Sequence, residues 1–423
     1  MTRHVRFGGG GLLLALALVG PAPARGPGAD AKTAVRQDRV VAGSEKDFME
    51  VRHLVLRGTD EEIGRALATI ARDRHKFEPV PSSDRTRTRA QRRYIEKNYP
   101  ALFDRMRGAA SAFGRQVDDD GFNLTGLWYP VNLGVGCSVI HFPPAVTATG
   151  AGVVSRNYDF TTGTLMGTRP PPGELPCTAR PYLVEMYPDR GYASLAMYSY
   201  DLLSGVLDGI NSEGLTVALL ADDETMAKYG REPAGLDAAG LNELQVPRML
   251  LDTCASVEEA KEALLVTKQQ YAVVPVHYLI ADRHGKSFVW EYSQAHNREY
   301  IIENPGKPLV TTNFSLHRHL EGNGPPSAAK VKEVCPRYCA VADRITGNGG
   351  KASVEFIKAC HKAADIVQAP RAGRPPTRTL WHALYFPEAR KVQLSFYLRD
   401  EVEADKTRIV RTDYLEFALD KAK

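Results

Sequence analysis

Beyond Val19 this chain has no apolar run approaching the roughly 20 residues that a membrane-spanning helix needs, so no stable transmembrane insertion is expected. It also lacks a charge surplus. With 54 Lys+Arg against 50 Asp+Glu, the 423 residues carry a net +4, whereas nucleic-acid binding calls for a clustered basic stripe. The one local cluster, Arg85, Arg87, Arg89, Arg92 and Arg93, opens a helix-like stretch among polar neighbours and reads as a solvated face. Cysteine is scarce: Cys137, Cys177, Cys254, Cys335, Cys339 and Cys360 are too scattered for a disulfide-stapled scaffold. Cys335 and Cys339 have three residues between them and no second pair at metal-ligand spacing, so no zinc site is expected, and neither a metal nor an organic cofactor is implied. Hydrophobic content of 43% and charged content of 25% argue against disorder.

What is present begins at the N-terminus. Arg3 and Arg6 precede Gly8–Gly11, then the apolar run Leu12 to Val19, then Gly20-Pro21 and small-residue sites at Ala22-Pro23-Ala24 and Ala29-Asp30-Ala31. A positive start, a short apolar centre and a small-residue exit describe a secretory signal over residues 1–31, so export to a periplasmic or extracellular space is expected. Residues 32–136 read as a mostly helical leader. Phe48–Leu56 is a candidate strand, Thr59-Asp60-Glu61-Glu62 a capped helix start, and Tyr94 to Phe113 carries apolar residues at helical spacing.

From Cys137 to residue 423 the pattern changes. Short strand-like runs recur, and hairpins are expected around Asn211–Gly214, Asp282–Gly285 and Pro387–Arg390. Between them lie helices, Leu241–Thr253 and a second opened by Ser256 with Glu259 three residues on. Strands, paired helices, then strands again predict an α+β layered sandwich instead of a doubly wound parallel sheet.

Cys137 follows Gly134-Val135-Gly136 and begins a strand-like stretch. A cysteine there is often a small buried hydrophobe, but a preceding glycine admits strained backbone and lets the thiol reach the carbonyl before it. Downstream stands Ser155-Arg156-Asn157-Tyr158-Asp159-Phe160, in which alternation sets Arg156 and Tyr158 on one face and Asn157 and Asp159 on the other. Bringing Arg156 and Asp159 to one site therefore predicts that the strand ends or bends there.

Cys137-Ser138-Val139-Ile140, a short hairpin, then Gly152 to Phe160 resembles the opening of choloylglycine hydrolases, acid ceramidase-type amidases, and isopenicillin N acyltransferase with its bacterial relatives. Leu207-Asp208-Gly209-Ile210-Asn211-Ser212-Glu213-Gly214-Leu215 resembles that group's Gly-x-Asn-x-x-Gly-Leu hairpin, and Pro247 to Asp252 with Ser256 to Ala260 its paired helices. Leu309-Val310-Thr311-Thr312-Asn313 resembles the strand ending in an oxyanion asparagine, and Pro336-Arg337-Tyr338 a later arginine segment. Upstream, His53 to Gly64 and Tyr99 to Ala110 resemble the acyltransferase leader. Cys335-Pro336 departs from the usual small hydroxyl residue before that arginine, and His317 and His319 have no counterpart role.

The resemblance implies an N-terminal-nucleophile enzyme with a four-layer αββα sandwich over 137–423, autoprocessed at Gly136–Cys137, acting on a small-molecule N-acyl amide. It implies Cys137 as nucleophile with its own α-amine as base, Asp159 orienting that amine, Arg156 favouring thiolate, Asn313 and Asn211 donating to the oxyanion, and Arg337 in a structural or substrate-carboxylate role. An α-amine has an ordinary pKa of about 7.7–8.0, so no separate histidine base is needed. Asn211 also suits a plain hairpin turn, and Asn313 a strand-end cap. Hydrolysis of the thioester by water, its capture by an amine, an inert exported binding protein on the same fold, and a Cys-His peptidase all stay open from the sequence. The loops Thr161–Cys177 and Asp222–Ala239 are the expected pocket rim.

Overall fold

The computed structural model describes residues 34–124, 136–162, 178–199, 202–222, 239–271, 274–293, 295–369, 376–403 and 406–420. The expected export segment, Cys177 and most of the expected pocket-rim loops lie outside these residues.

Local chemistry starts the first helix, Asp60–His75. The Thr59 hydroxyl accepts the Glu62 N–H and the Glu62 carboxylate accepts the Thr59 N–H at 2.8 Å, a reciprocal capping box. The helical stretch expected up to Phe113 is two helices, Arg85–Asn98 and Pro100–Ala112. Pro100 disfavours a helical Tyr99, which sits at φ −145°, ψ 70°. Arg89 and Arg92 of the basic cluster both close on Asp120.

Among the described residues, strands form two large sheets. The first runs Val35–Gly43, Glu50–Gly58, Tyr182–Pro188, Ser194–Tyr198, Asp208–Asn211, Thr216–Ala221, Val276–Ala281, Ser287–Ser293, Arg298–Glu303. The second runs Leu309–Thr311, Gly136–Phe142, Val153–Thr161, Thr377–Phe386, Lys391–Glu403, Lys406–Arg411, with Val367–Gln368 and Leu415–Ala418 added beside it. Thr216–Ala221 packs on Gly136–Phe142, so the sheets lie face to face. Helices Gln245–Thr253 and Val257–Val266 cover the outer face of the first sheet. Pro336–Thr346 and Val354–Lys362 cover that of the second. This is the αββα sandwich, an α+β arrangement with sheets that are both half of one core.

The leader is more than helical. Val35–Gly43 and Glu50–Gly58 form one end of the first sheet, and Glu50–Gly58 pairs parallel with Tyr182–Pro188. Leu54 and Leu56 are fully buried there. Val35–Gly43 was not expected as a strand; its sequence, VRQDRVVAG, has the charged character of an edge strand. A buried ionic cluster also joins leader to body. Arg105 pairs with Asp60 at 2.8 Å and with Asp252 at 2.6 Å, Arg248 pairs with Asp252 at 2.7 Å, and the Tyr99 hydroxyl donates to Asp252. Removing one member strands a desolvated partner. Arg105→Met is therefore expected to lower the unfolding free energy by about 3–5 kcal/mol, read as a reduced urea midpoint; an unchanged midpoint would show that these pairs do not secure the leader.

Candidate active site

Register decides what surrounds Cys137. Its strand is antiparallel to Val153–Thr161, with Cys137 opposite Tyr158, Val139 opposite Arg156 and Gly136 opposite Asp159. Directly paired residues share a face, so the Cys137 thiol, Arg156 and Tyr158 point between the sheets, while Asp159 points out toward the helices. On the other side Thr311 pairs with Val139, and extending that register sets Asn313 opposite Cys137. Cys137 is 2% exposed.

The strand therefore neither ends nor bends to gather Arg156 and Asp159. It runs unbroken from Val153 to Thr161, and the two residues approach Cys137 from opposite faces. The irregularity lies next door, between Thr379 and Trp381 of the neighbouring strand, and it lets Thr379 face Asp159 and Trp381 face Tyr158. Gly136 also has a different reason from the one the sequence suggested. It does not take a left-handed φ. A Cβ there would lie 2.3 Å from Ile366 Cδ1 and 3.2 Å from Asp159 Cβ, so any side chain would have to displace the Ile366 methyl and press on Asp159.

On the inner face, Arg156 is fully buried. Its Nε donates to Asp208 at 3.3 Å, Nη2 to the Leu219 carbonyl at 2.9 Å and Nη1 to the Asn157 carbonyl. Asp208 also accepts from Trp381 Nε1 at 3.3 Å and from the Tyr385 hydroxyl. Trp381 stacks on Tyr158 with ring centroids 3.9 Å apart. Burial works against the Arg156 charge, but the Cys137 thiol and the Asp208 carboxylate beside it raise its pKa and keep it protonated. Burial holds the Cys137 thiol above its ordinary value, with the adjacent Arg156 charge and hydrogen bond opposing it.

On the outer face, Arg337 spans three groups. Nη1 donates to Asp159 Oδ2 at 3.1 Å and to the Cys137 carbonyl at 3.2 Å, and Nη2 to Asn313 Oδ1 at 2.6 Å. Asn313 Oδ1 also accepts the Cys137 backbone N–H at 2.6 Å, and its Nδ2 donates to the Ala221 carbonyl at 2.8 Å. Thr379 donates to Asp159 Oδ1 at 2.5 Å. Burial raises the Asp159 carboxyl to about 6, with Arg337 opposing it.

Cys137, Arg156, Asp159, Asn313 and Arg337 thus share one site. Asn211 does not join them. Three residues from Asp208, it lies on the opposite face of the first sheet, where Nδ2 donates to the carbonyls of Leu251 at 3.1 Å and Cys254 at 2.7 Å. Its Oδ1 accepts the N–H groups of Glu213 and Leu215. It is a hairpin residue tied to a helix end. The residue of that hairpin facing the site is Asp208, which sequence reasoning passed over; a carboxylate opening a buried strand was the available signal. Among the described residues no cluster of ligands fit for a metal occurs, and Cys254, Cys335, Cys339 and Cys360 are buried free thiols.

Residues 147–400 match the family model described as acyl-coenzyme A:6-aminopenicillanic acid acyl-transferase. The matched span begins beyond Cys137 and takes in Arg156, Asp208, Asp159, Asn313 and Arg337. A variant of conjugated bile acid hydrolase from Clostridium perfringens is similar at 16% identity and TM-score 0.41, over 68% of this chain and 100% of that one. Penicillin V acylase from Agrobacterium tumefaciens is similar at 14% identity and TM-score 0.35, over 66% and 86%. The Caenorhabditis elegans ortholog of N-acylethanolamine-hydrolyzing acid amidase is similar at 16% and 0.32, over 60% and 93%. No curated protein matches the chain.

The Asp159 carboxyl, near 3.8 in an unfolded chain and about 6 here, binds its proton more tightly when folded. Its contribution to stability is present in full below the lower value and is lost as pH rises through the higher one. Urea unfolding of wild type and Asp159→Asn at several pH values should show wild type losing stability relative to the variant as pH rises through that window. A pH-independent difference would mean that folding leaves the Asp159 pKa unchanged.

Proposed function

This chain belongs to the acyl-coenzyme A:6-aminopenicillanic acid acyl-transferase family, and from that membership we propose an exported cysteine amidase that frees its own nucleophile at Gly136–Cys137 and then cleaves a linear amide through a thioester. The observation that carries the reading is the set of groups that close on Cys137: Arg156 at its side chain from the inner face, Asn313 at its N–H from beyond the neighbouring strand, and Arg337, paired with Asp159, at its carbonyl from the outer face.

In the precursor, the Cys137 sulfur attacks the Gly136 carbonyl carbon. The C–N bond breaks, the nitrogen takes up a proton, and a thioester links Gly136 to the sulfur. Water hydrolyses it, leaving a Gly136 carboxylate and a free Cys137 amine and thiol. In turnover, the amine takes the thiol proton and the sulfur attacks the substrate carbonyl. The second hydrogen of Asn313 Nδ2, beyond the one given to Ala221, donates to the oxyanion. The leaving nitrogen takes the proton from the Cys137 ammonium, and water then releases the acid. Asp159 and Arg337 hold the Cys137 amine and carbonyl in place. Arg156 stabilises thiolate and is itself held by Asp208.

Capture of the thioester by an amine in place of water is the second reading, favoured by the transferase reaction for which the family is described. It leaves the site residues and the first half-reaction unchanged. An amine acceptor added to the assay separates the two.

Two outcomes are expected. Mass spectrometry of purified wild type should find a fragment beginning at Cys137, Cys137→Ala should stay joined, and Cys137→Ser should separate more slowly. Active protein with Gly136 still bonded to Cys137 would refute the mechanism. In steady-state kinetics on N-acyl amides, Asn313→Ala should lower kcat by about 10²–10³-fold. Asn211→Ala should instead reduce the melting temperature and leave kcat per folded molecule near wild type. Equal kinetic losses would return Asn211 to the oxyanion site.

A further inference from the structure

The segment that carries Asn313 leaves its strand at Thr311 and turns sharply through Leu316–Arg318. Nothing in that turn is regular enough to orient the Asn313 side chain by itself. A row of polar residues on the inner face of the first sheet grips it. His277, Glu291 and Tyr300 are directly paired neighbours across three strands. The His277 Nε2–H donates to the Thr312 carbonyl at 2.5 Å and lies 3.2 Å from Thr311 Oγ1. Glu291 accepts the Leu316 N–H at 2.8 Å, the His317 N–H at 2.9 Å and the His317 Nδ1–H at 2.7 Å. The His317 ring stacks on Tyr300 with centroids 4.6 Å apart. Ser315 donates to Asp222 Oδ2 at 2.7 Å.

His277 is fully buried and Glu291 is 2% exposed, so this is a desolvated carboxylate that, among the described residues, accepts hydrogen bonds from one short stretch of chain and lies 3.9 Å from His277 Nδ1. Those contacts bracket Asn313, with His277 holding the residue before it and Glu291 the third and fourth residues after it. A desolvated carboxylate is costly unless hydrogen-bonded, and here its partners are the groups that set the turn.

We infer that Glu291, with His277 and His317, is a positioning residue that sets the Asn313 amide against the Cys137 nitrogen. None of the three touches Cys137 in the described contacts; they act through Asn313. The inference rests on the roles proposed above for Asn313 and Cys137.

Glu291→Gln replaces an acceptor that meets three N–H groups by an amide that must turn its own N–H₂ toward at least one of them. It should lower kcat by about 100-fold, the scale of a misplaced catalytic group, with KM little changed. His277→Gln and His317→Asn each keep the one N–H that the histidine donates and should stay near wild type, whereas His277→Leu and His317→Leu should follow Glu291→Gln. A kcat loss shared equally by conservative and leucine variants, or absent from the leucine variants in cooperatively melting protein, would overturn the proposal; the histidine pairs decide the matter if Glu291→Gln does not fold.

If wild type never separates at Gly136–Cys137 and turns over no N-acyl amide, the proposed function falls, yet the clamp is still measurable. The Cys137 amide then persists, and its hydrogen exchange should be about tenfold faster in His317→Leu than in His317→Asn. Equal exchange would overturn the clamp on its own terms.

Discussion

A guanidinium with no solvent around it must be neutralised where it stands, and much of this architecture follows from doing so for Arg156. Its partner, Asp208, comes from the opposite sheet and is itself held by Trp381 and Tyr385 from the Arg156 side. The result is a polar bridge between two apolar faces. Buried ion pairs add little net stability compared with good packing, but breaking one is costly. The bridge therefore fixes the register of Val153–Thr161 within its sheet, because a slip of one residue along that strand would turn Arg156 to the wrong face. Cys137, paired in register one step away, inherits that precision.

The leader is bound by similar logic at the far side of the first sheet. Its strands complete the hydrogen-bonding edge of Tyr182–Pro188, and Arg105 neutralises Asp252 inside the body. A chain break between leader and body would leave both kinds of contact untouched. The long sequence separation between Glu50–Gly58 and Tyr182–Pro188 makes this pairing an entropically costly closure, which the buried leucines and the other contacts of the leader must outweigh.

Much of this was legible in the sequence, and the remainder failed for identifiable reasons. The Thr59 capping box, the hairpins at Asp282–Gly285 and Pro387–Arg390 and the α+β layering follow from local patterns, and the structure contains them. Local reasoning stops at strand phase. Asp208 and Asn211 belong to one four-residue strand, and nothing within it says which residue faces the other sheet; that depends on pairing with Ser194–Tyr198 and Thr216–Ala221. The same limit explains the expectation of a bend at Arg156–Asp159, since alternation was read correctly but the site was assumed to lie on one face. Val35–Gly43 escaped notice because an edge strand rich in charge carries almost no hydrophobic signal. His277, Glu291 and Tyr300 lie on three separate strands, and only the sheet assembles them into the row that meets His317.

The two-sided approach to Cys137 also bears on how such a centre diversifies. Groups on both sides act on the sulfur: Arg156, between the sheets, lowers the thiol pKa, while beneath the helices Asp159 raises it and Arg337 lowers it. A single amino acid therefore answers to two neighbourhoods at once, divided by one thickness of backbone. A substitution on either side is felt across that thickness, so neither neighbourhood changes without compensation from the other.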